Sequence, residues 1–241
     1  MTSKESRAST FVLIPGAGGS AWYWHLVEPE LRERGHDVVA ISLPAADDTA
    51  GLPEYADAVI RALGDRPRAN LVLVAQSMGA FTAPLVCQRV PVALLVLLNA
   101  MIPKTVETPG AWWTNTDHDA AKRRKNLRDG RPAGADFDPL VDFFHDVPQN
   151  VVDEALAQGA PDQSDTPFTT PCAFDRWPDV PTRVLVGRDD RFFPAEFQRR
   201  VAQERLGITP DEMPGGHLVA LSRPAELAKR LDAYAAELRL H

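Results

Sequence analysis

The chain has 241 residues, 44% apolar and 24% charged, and a net charge of −7. That is one large domain or two small ones, with enough chain to bury a core without disulfides or metals. The composition excludes disordered and collagen-like chains, and the negative charge argues against nucleic acid or an anionic membrane as the main partner.

The first ten residues are polar, and the apolar run that follows, Phe11–Ile14, is shorter than the roughly 7–15 residues of a secretory signal. The longest apolar run, Val92–Leu98, falls far below the roughly 18 residues that span a bilayer. A cytoplasmic protein is expected. Cys87 and Cys172 match neither a zinc spacing nor a disulfide framework and read as small buried or half-buried thiols.

In chain order, strands are predicted at Phe11–Ile14, Val38–Leu43, Asn70–Ala75, Ala93–Leu98 and Thr182–Val186, with a weaker one at Asp211–Met213. Several are continuous apolar runs without alternation, the pattern of parallel strands covered on both faces. Helices are predicted between them. Leu52–Leu63 sets Tyr55, Val59 and Leu63 on one face, and Met78–Arg89 follows a strand directly. Pro194–Leu206 begins with proline, suited to a first helical position, and Pro224–Leu238 repeats Leu227, Leu231, Tyr234 and Leu238 at helical spacing. This alternation predicts a doubly wound, mostly parallel α/β sheet.

Lys104–Pro178 breaks the rhythm. It has no convincing strand but holds eight of the eighteen aromatic residues, among them Trp112, Trp113, Phe143 and Phe168. An insertion of this length inside a compact domain is usually a lid or a disordered segment, and the aromatic content favours a folded helical lid. Residues 1–103 and 179–241 then form the core, and 104–178 the lid. The basic run Lys122-Arg123-Arg124-Lys125 reads as a solvated helix face.

The strongest chemical signal is Ala75-Gln76-Ser77-Met78-Gly79, between an apolar strand and a helix. This is a nucleophile elbow in its strand–turn–helix context, where small flanking residues let the turn pack tightly. A serine needs a base, and in this arrangement the acid and then the histidine follow in the chain. Of six histidines, only His217 lies after the last predicted strand, in the glycine-rich loop Pro214-Gly215-Gly216-His217. His36 reads as a capping or surface residue, His118 and His145 as exposed or packing residues of the lid, and the terminal His241 as disordered. Two adjacent carboxylates, Asp189 and Asp190, follow Thr182–Val186 and compete for the acid. Asn99 ends the preceding strand and supplies no carboxylate. One oxyanion donor is expected from the Met78 N–H, the other from the loop Pro15-Gly16-Ala17-Gly18-Gly19-Ser20. That loop lacks the patterns of a dinucleotide or P-loop site.

Three stretches, Phe11–Trp24, Gln76-Ser77-Met78-Gly79, and Asp190–Arg199 with Gly216-His217, resemble the α/β-hydrolase superfamily. Within it they are most similar to the small esterases grouped with plant methyl-ester esterases and hydroxynitrile lyases. The resemblance covers nearly the whole chain. It implies six core strands, Ser77 as nucleophile, His217 as base, Asp190 as acid, Ala17 and Met78 as oxyanion donors, and a cap at 104–178. Many relatives have His-Gly after the first strand and Gly-His-Ser at the elbow, where this chain has Pro15-Gly16 and Ala75-Gln76-Ser77. Hydroxynitrile lyases of this group carry a lysine after the catalytic histidine and a threonine in the first loop. Leu218 and Gly16 occupy those places here, which argues against that chemistry. The reading is a serine hydrolase of small to medium apolar carboxylic esters, acting through an acyl-enzyme without metal or cofactor. A thioesterase or acyltransferase, a cofactor-free perhydrolase, and a ligand-binding receptor with a silent triad are the alternatives.

Overall fold

The computed structural model describes residues 8–238. His241 and the polar N-terminal residues before position 8 lie outside them. Six strands, β1 (Thr10–Ile14), β2 (Asp37–Ala40), β3 (Leu71–Gln76), β4 (Leu94–Leu98), β5 (Thr182–Gly187) and β6 (Asp211–Met213), form one sheet in the order β2-β1-β3-β4-β5-β6. Every pairing is parallel. The chain starts at β1, fills one edge with β2, then returns past β1 to β3. The order reverses between β1 and β3, so the crevice beyond their carboxyl ends is the place where open α/β sheets bind ligands.

Alternate residues of each central strand enter opposite layers. Val12, Ile14, Leu73, Ala75, Leu95 and Leu97 pack on one face, and Phe11, Leu13, Val72, Val74, Val96 and Leu98 on the other. Both layers are covered by helices, which explains the unbroken apolar runs. Helices α1 (Val27–Glu33), α2 (Leu52–Leu63) and α3 (Ala83–Cys87) connect the first four strands. Helix α2 starts where the Glu54 carboxylate accepts the Gly51 N–H at 2.8 Å, a cap that satisfies a first-turn donor.

Two predicted elements differ in extent. The second strand stops at Ala40 rather than Leu43. The Leu43 N–H is drawn off the sheet to the Gly19 carbonyl at 2.7 Å, and Pro44, which follows, has no N–H to donate. The helix predicted over Met78–Arg89 is divided into a tight 3₁₀ turn, Ser77–Phe81, and α3. Pro84 explains the break, because its ring would collide with the Ala80 carbonyl in a continuous α-helix.

Residues 104–178 contain only helices: α4 (Pro109–Asn115), α5 (His118–Arg128), α6 (Pro139–Asp142), α7 (Gln149–Ala157) and α8 (Thr166–Thr169). Trp112 of α4 is fully buried and donates its indole N–H to the Ile102 carbonyl at 3.0 Å. Glu107 and Arg205, both buried, pair at 2.5 and 3.0 Å. Lys122 corrects the solvated reading of the basic run: its ammonium meets buried Asp142 at 2.5 Å and the Arg191 carbonyl at 2.9 Å. Arg123 and Arg124 remain exposed. The remaining helices are α9 (Ala195–Leu206), α10 (Val219–Ser222) and α11 (Pro224–Glu237). Pro194 stands just before α9 as its cap residue rather than inside it.

His36 also differs from its sequence reading. It is buried, accepting the Ser9 N–H at 3.2 Å and facing Asp232 at 3.0 Å, and so ties the start of β1 to α11. Cys172 is buried and Cys87 half-buried, both as free thiols. Among the described residues, no helix is long and apolar enough to cross a membrane.

Candidate active site

Ser77 stands directly after β3 with φ +50°, a left-handed conformation that costs a residue with a side chain about 1–3 kcal/mol. The strain turns the chain abruptly from strand into 3₁₀ turn and lifts the hydroxyl over the carboxyl end of the sheet. Two glycines make the close packing here feasible. A Cβ on Gly79 would stand 2.5 Å from the Pro15 carbonyl oxygen, and one on Gly16 would stand 2.5 Å from Gln76 Oε1 and 2.8 Å from Ser77 Cβ. The glycine loop after β1 therefore lies directly on the elbow.

The structure brings Ser77, His217 and Asp190 together from positions up to 140 residues apart. Ser77 Oγ lies 3.2 Å from His217 Nε2, and His217 Nδ1 lies 2.8 Å from Asp190 Oδ2. The carboxylate on Nδ1 fixes the proton there and leaves Nε2 as the acceptor facing the hydroxyl. Asp190 is fully buried, and its Oδ1 accepts the N–H groups of Phe192 and Phe193, each at 2.8 Å. Gln198 of α9 donates to Oδ2 at 3.3 Å. Asp189 is exposed, and its Oδ2 accepts the Gly215 N–H at 3.0 Å, so it braces the histidine loop from outside.

Residues that carried no role in the sequence reading complete the surroundings. Asn99, at the end of β4 with φ +43°, donates to the carbonyls of Gly216 and His217 at 3.0 and 3.1 Å and accepts the Gly187 N–H at 2.7 Å. Its signal in the sequence is a lone polar residue closing an apolar strand. Gln76 donates its side-chain amide toward His217 Nε2 at 3.3 Å. The imidazole is walled by three rings: Phe143 stacks on it at 4.9 Å, while Phe193 and Phe192 meet it edge-on at 4.9 and 5.2 Å. Behind it, the Tyr23 hydroxyl accepts the Ala220 N–H at 3.4 Å, and burial pushes that phenol up.

Neither histidine of residues 104–178 hydrogen-bonds Ser77. His118 is buried and donates to the Phe192 carbonyl at 2.9 Å. Burial holds its imidazole below the usual histidine range. His145 packs over Gly216, and burial pushes it down as well.

A pocket of about 130 Å³ opens above Ser77. Ala17, Met78, Gln76 and His217 line its reactive side, and Met101, Trp113, Phe143, Phe168, Phe192 and Leu218 enclose the rest. No acidic or basic side chain among the described residues, other than His217, lines it. Among the described residues, no group of three or more His, Cys, Asp or Glu side chains gathers to hold a metal ion.

A family model described as "Alpha/beta hydrolase family" matches residues 11–230. The chain belongs to the α/β hydrolase family. Within it, the chain is 24% identical to norfluorocurarine synthase 1 from Strychnos sp over 93% of this chain and 94% of that protein. It is 30% identical to methylesterase 1 from Arabidopsis thaliana over 59% of this chain and 58% of that one. Among solved structures it is similar to a pyrethroid hydrolase from Sphingobium faniae JZ-2, with a TM-score of 0.70, 22% identity, and coverage of 95% and 98% of the two chains. At that identity the structural likeness is one of fold, and fold alone does not assign a reaction.

Proposed function

We propose that this α/β hydrolase is a serine esterase acting on neutral carboxylic esters with a small apolar acyl group. The observation that carries the reading is the hydrogen-bonded chain Ser77–His217–Asp190 at the floor of an apolar pocket. Ser77 Oγ attacks the ester carbon while His217 Nε2 takes its proton. Asp190 orients the ring and stabilises the imidazolium. The N–H groups of Met78 and Ala17 receive the oxyanion, and His217 returns the proton to the leaving alcohol. Water, activated by the same nitrogen, then releases the acid from Ser77.

The pocket sets the substrate class. A cavity of about 150 Å³ suffices for benzene, so 130 Å³ takes an acyl group of roughly four to six carbons. The absence of charge from its lining, His217 aside, favours neutral groups, because a buried charge without a partner is costly. The helices of residues 104–178 act as the cap, since Trp113, Phe143 and Phe168 supply much of the apolar wall. The relative named a methylesterase makes methyl esters the first alcohol portion to test.

The test is initial rates on p-nitrophenyl esters from acetate to decanoate, on methyl esters of the same acids and on acyl-CoA thioesters, wild type beside Ser77→Ala. Ester turnover that peaks at short acyl chains and falls by at least about 10³-fold in the variant supports the reading. Turnover retained by Ser77→Ala, or absent from folded wild type, overturns it. Preference for thioesters moves the reading to acyl-carrier chemistry.

A further inference from the structure

Asp146 lies four residues after α6 and reaches the histidine loop from the inserted segment. Its Oδ2 accepts the Gly216 N–H at 2.7 Å, across 70 positions of sequence. Gly216 immediately precedes His217. The carbonyls of Gly216 and His217, in the two peptides that flank the His217 α-carbon, are held by Asn99 Nδ2. The backbone that carries the imidazole is therefore gripped on its N–H side by Asp146 and on its carbonyl side by Asn99. There is no slack between loop and carboxylate: a Cβ on Gly216 would stand 2.7 Å from Asp146 Oδ1 and 2.7 Å from His145 Nε2.

The rest of the carboxylate is not engaged in holding the segment together. Asp146 Oδ1 is buried without a hydrogen-bond partner, and so is His145 Nε2, 4.0 Å away. Buried polar atoms usually find partners. A carboxylate that leaves one oxygen unpaired and spends the other on a single backbone N–H is placed for that N–H. Such a charge-assisted bond is shorter and stronger than a neutral one.

We infer that Asp146 is a positioning residue for His217, setting the imidazole over Ser77 from within the inserted segment. The inference rests on the serine-esterase reading of the site. A displacement of about 1 Å between reacting groups can cost 10²-fold in rate, so freeing one side of the Gly216 peptide acts on the proton-transfer step. Substrate binding is spared, because Asp146 is absent from the pocket lining.

The test compares Asp146→Ala and Asp146→Asn with wild type on the best p-nitrophenyl ester. The alanine variant is expected to lose about 10- to 30-fold in kcat with KM within twofold. The asparagine variant, whose amide oxygen still accepts the Gly216 N–H, is expected to recover to within about threefold. Asp146→Leu, similar in size but without an acceptor, replaces the alanine variant if that one does not fold. A folded acceptor-less variant with unchanged kcat, or a loss that asparagine fails to rescue, overturns the inference. If wild type turns over no ester, the esterase reading fails on its own. The downfield proton resonance of the His217 Nδ1–Asp190 hydrogen bond then still reads positioning. Loss or broadening in the acceptor-less variant with retention in Asp146→Asn supports the inference, and an unchanged resonance in the acceptor-less variant overturns it.

Discussion

The ring of Phe143 lies flat against the His217 imidazole, with centroids 4.9 Å apart and planes within 15°. The residue comes from the inserted segment, and Phe137 meets its ring edge-on at 4.9 Å. Phe143 thus covers one face of the His217 imidazole while forming part of the pocket wall. Phe143→Ala is expected to lower kcat/KM for a butyrate ester by about tenfold, which corresponds to about 1.4 kcal/mol. Phe143→Leu is expected to retain most of the activity. Steady-state kinetics on the two variants check this, and equal losses would show that bulk alone is not what matters.

Gly16 leaves no room for a side chain beside Gln76 and Ser77. In Gly16→Ala the added methyl pushes the glycine loop away from the elbow and carries the Ala17 N–H with it. The oxyanion role proposed for Ala17 predicts a loss of about 10²-fold in kcat, the size of effect seen when one such donor is removed. Thermal melting is expected to move far less than the rate. Measuring both on one preparation separates a displaced loop from an unfolded chain.

The Glu107–Arg205 pair anchors the start of the inserted segment to α9, and each side chain is only 3% exposed. Removing one partner of a buried pair strands the other charge, at about 3–5 kcal/mol. Arg205→Met alone is therefore expected to destabilise the protein by that amount, and Arg205→Met with Glu107→Leu to recover most of it. Urea unfolding of the two variants checks the order.

Asp142 gives the inserted segment a dependence on acid. Burial pushes its carboxyl up, but the hydrogen bonds from Lys122 and Arg131 outweigh burial and hold it below the usual range. The folded protein binds this proton more weakly than the unfolded chain does. The contribution to stability is therefore complete above about pH 4, the ordinary carboxylate value, and is lost as pH falls through the folded-state value. Asp142→Asn is expected to melt well below wild type at pH 7 and to converge with it as pH falls below about 4. A gap that stays constant with pH would contradict the assignment.

The strands and the elbow were legible because local rules govern them. Leu71–Val74 is apolar because both faces of β3 are covered, and position 79 is glycine because a Cβ there would stand 2.5 Å from the Pro15 carbonyl oxygen. The inserted segment was legible only as aromatic and helical. Its helices are 4 to 11 residues long, too short for a periodicity to show which face is buried. Lys122, His36 and Asp146 were opaque for a different reason. Each is defined by a partner 20, 196 or 70 positions away, and nothing in the neighbouring residues records such a pairing. Pro84 was visible, but the division of its helix depended on recognising that the elbow leaves only a tight turn before it.

Besides His217, Asp190 receives three donors, from Phe192, Phe193 and Gln198, all within eight residues of itself. That carboxylate thus travels with a self-contained cradle, whereas Trp113, Phe143 and Phe168 of the pocket wall come from a stretch of chain far away. A library that randomises Trp113 and Phe168, keeping Phe143 and an acceptor for the Gly216 amide, would vary the pocket while leaving the contacts that hold His217 in place.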